Sequence, residues 1–164
     1  MTDGEYRRLT LVAQLAHVEV TSAVPTRHPS QDDQPELARV MFDAYREGVD
    51  DPGATLDDAI GSVRTFFEGG FGAPLLDCSF VALNDGEIVA VTFVTEFEGR
   101  PLLAQIYTLP SWKNRGLARV LIQLSQDALL ARGESVLALV VTVGNLPAQH
   151  LYESMGFLFE EGRP

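Results

Sequence analysis

The run Val136–Val141, VLALVV, constrains the fold more than any other part of this chain. It is rich in β-branched residues and apolar on both faces, so it reads as a strand covered on both sides. Upstream, Leu117, Leu121, Leu124 and Ala128 recur at helical spacing from about Arg115 to Arg132. Arg119, Gln123, Gln126 and Asp127 are expected to face out, and Gly133 to stop the helix. Before that helix lies another apolar run, LLAQIYTL. A strand–helix–strand unit of this kind makes a right-handed crossover between parallel strands. After the central run, Asn145–Phe157 (NLPAQHLYESMGF) reads as a helix with Pro147 in its first turn and Gly156 at its end, and FLFEE opens a final strand.

The N-terminal part adds two helices and three antiparallel strands. Asp33 followed by Glu36, with Pro35 in the first turn, marks a helix start. Leu37, Val40, Met41, Ala44 and Tyr45 form its stripe, and Gly48 is placed to end it. A second helix is expected from Thr55, with Asp58 at capping-box distance; it buries Ile60, Val63 and Phe67 and stops at Gly69-Gly70. CSFVAL, with Cys78 on the strand, is joined to EIVAVTFVTE by Asn84-Asp85-Gly86, a hairpin signal, and Glu98–Pro101 turns the chain into LLAQIYTL. In Leu9–Val20 the apolar residues shift from odd to even positions, which implies a bulge or two successive strands. The layout is α+β, in α/β layers around a mixed sheet.

At 164 residues the chain suits one domain, spanning 1–164 with an N-terminal strand segment and loop in 1–30 and the core in 33–160. The charged start MTDGEYRRL lacks a signal-peptide pattern, no apolar run is long enough to span a membrane, and Cys78 is the only cysteine. A cytoplasmic location without membrane association is the expectation. The formal net charge of −11 argues against nucleic-acid binding. It is compatible with cationic substrates; Asp50, Asp51, Asp57 and Asp58 are candidates to attract one, or are a solvated loop and helix cap.

Two stretches carry chemistry. In LPSWKNRGLARVLI, Gly116 lets the backbone approach a ligand and Ala118 stays small. Free N–H groups at a helix start favour a phosphate, and Lys113, Arg115 and Arg119 add positive charge. In the second stretch Asn145, Ala148 and Tyr152 share one helical face. Asn145 is an N-cap or a ligand contact, and Tyr152 a core residue or a functional one.

Taken together, Lys113–Ala118, matching Q/R-x-x-G-x-G/A with Lys in the first place, and Asn145–Phe157, matching N-x-x-A-x-x-L-Y-x-x-x-G-F, resemble the GNAT superfamily of acyl-CoA N-acyltransferases. The resemblance covers about Asp33 to Glu160. It implies a mixed, mostly antiparallel sheet with a central splayed parallel strand pair, flanked by about four helices. It also implies acetyl-CoA as cosubstrate, no metal, and a small-molecule or peptide amine as acceptor. The main chain of Ile106, Tyr107 and Thr108 would pair with the pantetheine arm. The N–H groups of Asn114, Arg115, Gly116, Leu117, Ala118 and Arg119 would hold the pyrophosphate, with Lys113 beside them in the cofactor site, and Asn145 would hold the pantetheine. A backbone N–H near Ile106–Thr108 would meet the oxyanion, and Tyr152 would protonate the leaving thiolate.

No general base is evident. Val140 and Val141 stand where some branches place a Glu, and Leu102 and Leu103 leave the earlier strand without a carboxylate; Glu96, Tyr107 and His150 are the candidates. Besides the enzyme, a catalytically silent acyl-CoA-binding module and an acyltransferase acting on aminoacyl-tRNA fit the resemblance, the last against the acidic charge. Only Leu158–Pro164 follow Gly-Phe, too few for the family's last strand. The N-terminal strands are expected to compensate for it, within the chain or across a homodimer.

Overall fold

The computed structural model describes residues 7–46 and 53–160. Gly48, Asp50 and Asp51 lie outside the described residues. The strands are β1 (Arg8–Gln14), β2 (Thr26–Arg27), β3 (Ala73–Pro74), β4 (Phe80–Asn84), β5 (Glu87–Phe97), β6 (Arg100–Thr108), β7 (Val136–Thr142) and β8 (Leu158–Phe159). The helices are α1 (Gln34–Tyr45), α2 (Leu56–Glu68), α3 (Leu117–Ala131) and α4 (Leu146–Ser154). One sheet runs in the order β2-β4-β5-β6-β7-β1-β8, with β3 on the side of β5. Of its pairs only β6 and β7 run parallel. This is the mixed, mostly antiparallel, four-helix arrangement expected.

The sheet separates two helical layers. Leu37 and Val40 of α1 and Val63 and Phe66 of α2 pack on Phe93 and Tyr107. Phe66 and Phe93 stack with centroids 4.0 Å apart. Ile122 and Leu129 of α3 and Tyr152 of α4 pack with Val94, Leu103, Leu137 and Leu139 in a second cluster. Adjacent residues Phe93 and Val94 thus serve opposite layers, as strand alternation requires.

The caps and turns follow local chemistry, with corrections. Thr55 and Asp58 form the expected capping box, Asp58 N–H to Thr55 Oγ1 at 3.1 Å and Thr55 N–H to Asp58 Oδ2 at 2.8 Å. Glu36 does not cap α1; its carboxylate accepts the Ile88 N–H at 2.7 Å, and Ser30 with Asp33 forms a box one turn earlier. Ile60 is 37% exposed, while Ala59, Val63, Phe66 and Phe67 make the buried side of α2. Cys78 lies in a short 3-10 turn before β4, buried, with burial pushing its thiol up to about 11. Gln123 and Gln126 are buried rather than facing out. Gln123 Nε2 donates to the Ala16 carbonyl at 2.9 Å, so a polar side chain is buried there because it ties the N-terminal loop to α3.

The phase shift in Leu9–Val20 is neither a bulge nor a second strand. β1 pairs with β7 without interruption from Arg8↔Thr142 to Gln14↔Val136, and the strand ends there. Leu11 and Ala13 fill the α3–α4 side; the later apolar residues belong to a loop, where Val18 is 55% exposed. On its other side β1 pairs with β8 at Leu11↔Phe159 and Val12↔Leu158. An N-terminal strand is therefore inserted between β7 and the short C-terminal strand, and the expected compensation happens within the chain.

Candidate active site

β7 has two edges of different character. Toward β1 it is paired along its whole length. Toward β6 it pairs only at Leu102↔Ala138 and Leu103↔Leu139. Beyond those residues the parallel strands separate. A bulge in β6 falls at the same place: Phe93 faces Gln105 but Val94 faces Leu103, leaving Ala104 as the extra residue.

Hydrogen-bond alternation says which groups line the seam. Leu109 N–H donates to Val89 O at 2.9 Å. Continuing that ladder makes Tyr107 and Gln105 the residues bonded to β5, so the N–H and C=O groups of Ile106 and Thr108 point toward β7. On the opposite lip, Val143 N–H donates to Arg7 O at 2.7 Å and Leu15 N–H to Ser135 O at 2.9 Å. By the same alternation Val140 and Thr142 direct their main chain toward β6. Val140 is 49% exposed in the middle of an otherwise buried strand. Sequence reading missed it because an apolar residue in an apolar run carries no mark of exposure.

The loop after β6 ends at the start of α3. Asn114 and Gly116 both take left-handed backbone, φ 62° and 80°. A Cβ on Gly116 would meet nothing within 4 Å, so glycine is required by φ and the space above it is open to a ligand. The first intrahelical bond is Val120 N–H to Gly116 O, so Leu117, Ala118 and Arg119 keep N–H groups with no helical acceptor. Lys113 and Arg115 are exposed, and the Arg115 guanidinium lies 4.3 Å over the Trp112 ring. Arg119 Nη2 donates to Ser154 Oγ of α4 at 2.5 Å, which ties the two motif stretches together in space.

Asn145 is the N-cap of α4, its Oδ1 accepting Ala148 N–H at 3.4 Å. Tyr152 is buried on the α3–α4 side, edge-on to Phe157 at 5.9 Å, in the cluster against which Ile106 packs. The general-base candidates do not gather. The Tyr107 side chain faces α1, where burial pushes its phenol well above the ordinary value and its hydroxyl approaches Leu37 O at 3.4 Å. Glu96 sits opposite Pro101 at the start of β6, before the residues that pair with β7, and His150 is exposed on α4. Asp57 and Asp58 open α2; backbone and side-chain bonds from Thr55 hold the Asp58 carboxyl below its usual range. Among the described residues no group of three His, Cys, Asp or Glu side chains is set to hold a metal ion, and no helix is long and apolar enough to cross a membrane.

Residues 36–157 match the family model described as Acetyltransferase (GNAT) family. The chain belongs to this family. A streptothricin acetyltransferase of Streptomyces lavendulae is 34% identical over 84 residues, 49% of this chain and 44% of that protein. A GCN5-related N-acetyltransferase from Sphaerobacter thermophilus superposes with a TM-score of 0.72 at 17% identity, over 93% of this chain and 48% of that one. This GNAT chain thus spans about half the length of those two relatives. The PaiA N-acetyltransferase of Thermoplasma acidophilum, solved with coenzyme A, has a TM-score of 0.67 at 14% identity over 87% and 94% of the two chains. AAC(6')-Iy, solved with a bisubstrate analogue of CoA, has a TM-score of 0.64 at 19% identity over 87% and 95%.

Proposed function

We propose that this protein is an acetyl-CoA-dependent N-acetyltransferase acting on a primary amine of a small molecule or peptide. The observation that carries this reading is the seam: β6 and β7 part after Leu103 and Leu139, and their main-chain groups face an opening that leads to the start of α3. A pantetheine arm has amides that can pair with Ile106 and Thr108 as a strand would. Its pyrophosphate would meet the N–H groups of Leu117–Arg119 above Gly116, with Lys113 and Arg115 adding charge. Asn145 caps the helix that presents Tyr152 and stands beside the arm.

Acetyl-CoA supplies the thioester carbon. The amine lone pair forms the C–N bond, the C–S bond breaks, and the nitrogen loses a proton to water. Tyr152 gives its phenolic proton to the departing sulfur and recovers one from solvent. A main-chain N–H at Ile106 or Thr108 meets the charge that builds on the carbonyl oxygen. No carboxylate of this chain serves as base in this scheme, which is why water takes the amine's proton.

The relatives support the class: one is named for streptothricin, and another, named an aminoglycoside N-acetyltransferase, was solved with a bisubstrate analogue. A panel of amines with acetyl-CoA and thiol detection tests the reading, with turnover on at least one amine expected. Calorimetric CoA binding with no turnover across the panel would instead make it an acyl-CoA-binding module. The dispersed base candidates give that second reading its footing. Acetylation of aminoacyl-tRNA but of no free amine would support neither.

A further inference from the structure

The side chains at the α3 start go different ways. Arg115 lies over the Trp112 ring of its own loop, whereas Arg119 leaves the loop for α4. Its Nη2 donates to Ser154 Oγ at 2.5 Å. Ser154 gives its one hydroxyl proton to the Leu151 carbonyl at 2.7 Å, so its oxygen is left as the acceptor for the guanidinium. A cation also suits this place, because the C-terminal end of a helix carries partial negative charge.

The contact matters because of how α4 is seated. Of its nine residues only Tyr152 is buried, with Ala148 and Leu151 packed partly against the same cluster. A short helix held mainly through one side chain can roll about its axis. Asn145 caps its start by accepting the Ala148 N–H. Arg119 ties down its end from α3. Ser154 and Tyr152 are two positions apart, about 200° around a helix, so the tie acts on the side opposite the phenol. Holding that outer side fixes the roll of the helix that carries Tyr152.

We propose, resting on the acetyltransferase reading with Tyr152 as its acid, that Arg119 is a positioning residue: through Ser154 its side chain holds α4 at the roll that sets the Tyr152 phenol toward the departing sulfur. The Arg119 main-chain N–H serves the pyrophosphate, and its guanidinium does not. One residue thus joins the anion end of the site to the acid. CoA seated at the α3 start is kept in register with the group that protonates its sulfur. Arginine suits the task better than lysine, because its planar fork fixes direction as well as distance.

The test compares full-length wild type with Arg119→Met, Arg119→Lys, Ser154→Ala, Ser154→Thr and the Arg119→Met, Ser154→Ala double variant. Thiol release from acetyl-CoA is followed on the amine panel, and CoA binding by calorimetry. Arg119→Met and Ser154→Ala should each lower kcat about 10-fold, and the double variant no further, because both remove one contact. CoA affinity should stay within about 3-fold of wild type in all of them. Ser154→Thr keeps the hydroxyl and should keep kcat; Arg119→Lys keeps the charge but not the fork and should not. CoA affinity lower by about 10-fold in Arg119→Met but unchanged in Ser154→Ala and Arg119→Lys would make the guanidinium a phosphate ligand and overturn the proposal. Unchanged kcat in both single variants, or losses that add in the double, would also overturn it.

A second readout does not need turnover. The Tyr152 ring resonance of the CoA-loaded protein, assigned by its loss in Tyr152→Phe, should shift in either single variant and shift no further in the double. That pattern without acetyl transfer by wild type would keep the tie and sink the transferase reading. A resonance unmoved by either substitution would sink the tie alone.

Discussion

The two edges of β7 make opposite use of the same strand. Toward β1 every position from Val136 to Thr142 has a partner, and the side chains of Leu11 and Ala13 close the core beneath. Toward β6 pairing stops after two positions, and Val140 and Thr142 turn their main chain to a space the protein does not fill. A sheet edge with unsatisfied main-chain groups is a liability unless something pairs with it. The closed edge removes that liability with a strand borrowed from the other end of the chain. The open edge keeps it, and the left-handed loop at Asn114 and Gly116 with the start of α3 lies where a polar arm would leave. On the proposed reading, stability is concentrated in one seam and ligand capacity in the other.

Breaking the closed seam should have the largest effect. Removing residues 1–14 takes away β1, exposing β7 and stranding the two-residue β8. We expect loss of a cooperative melt or a change of mass in solution; an unchanged melting temperature and mass would show that β1 is dispensable. Leu11→Ala is a gentler version, expected to cost ~2–5 kcal/mol because Leu11 is buried. It should leave CoA affinity largely intact in the fraction that remains folded.

Breaking the open seam should spare the fold and remove binding. Gly116→Glu adds a side chain at φ 80°, for ~1–2 kcal/mol of backbone strain, and a negative charge in the space above the α3 start. Calorimetry with CoA should show affinity reduced beyond detection in a folded variant; unchanged affinity would mean the anion site is elsewhere. A smaller effect, confined to chemistry, is expected of Tyr152→Phe: the ring still packs against Phe157 while the transferable proton is gone. Turnover should fall about 10²-fold with CoA affinity nearly constant. Wild-type turnover would reduce Tyr152 to packing, and a parallel loss of affinity would make its hydroxyl a binding contact.

The smallest effect belongs to a site remote from both seams. A side-chain hydrogen bond from Arg27 leads the causes that hold the Asp33 carboxyl below its ordinary value, and Asp33 Oδ2 accepts from Arg27 Nη1 at 2.8 Å. A carboxyl with a lowered folded value stabilises the fold above its unfolded pKa, about 3.9, and that contribution is lost as pH falls through the folded value. Asp33→Asn should therefore lower the melting temperature slightly at pH 7 and flatten its decline below about pH 4. An identical acid limb in the variant would show that the pair contributes nothing, as many exposed pairs do.

How much of this was legible in the sequence differs between the seams. The open one announced itself through residues whose identity is tied to backbone form: Gly116 at a left-handed turn, Asn145 at a helix start, Gly156 at its end. The closed one did not, because alternation in Leu9–Ala13 marks a strand without naming its neighbour, and the loop residues Ala16, Val18 and Val20 mimic a second phase. The exposure of Val140, the burial of Gln123 and the turn of Gln105 toward Ser62 were likewise invisible. Each is set by what a distant element does: the departure of β6, the Ala16 carbonyl and the bulge at Ala104.

Amide hydrogen exchange, read residue by residue with and without CoA, tests the division of labour between the seams most directly. The N–H groups of Ile106 and Thr108 face the open edge and should exchange quickly in the free protein. They should become protected when CoA binds, together with those of Leu117, Ala118 and Arg119, while Leu11 and Ala13 in the closed seam stay protected throughout. CoA bound by calorimetry but leaving Ile106 and Thr108 exchanging at their free rates would contradict the account.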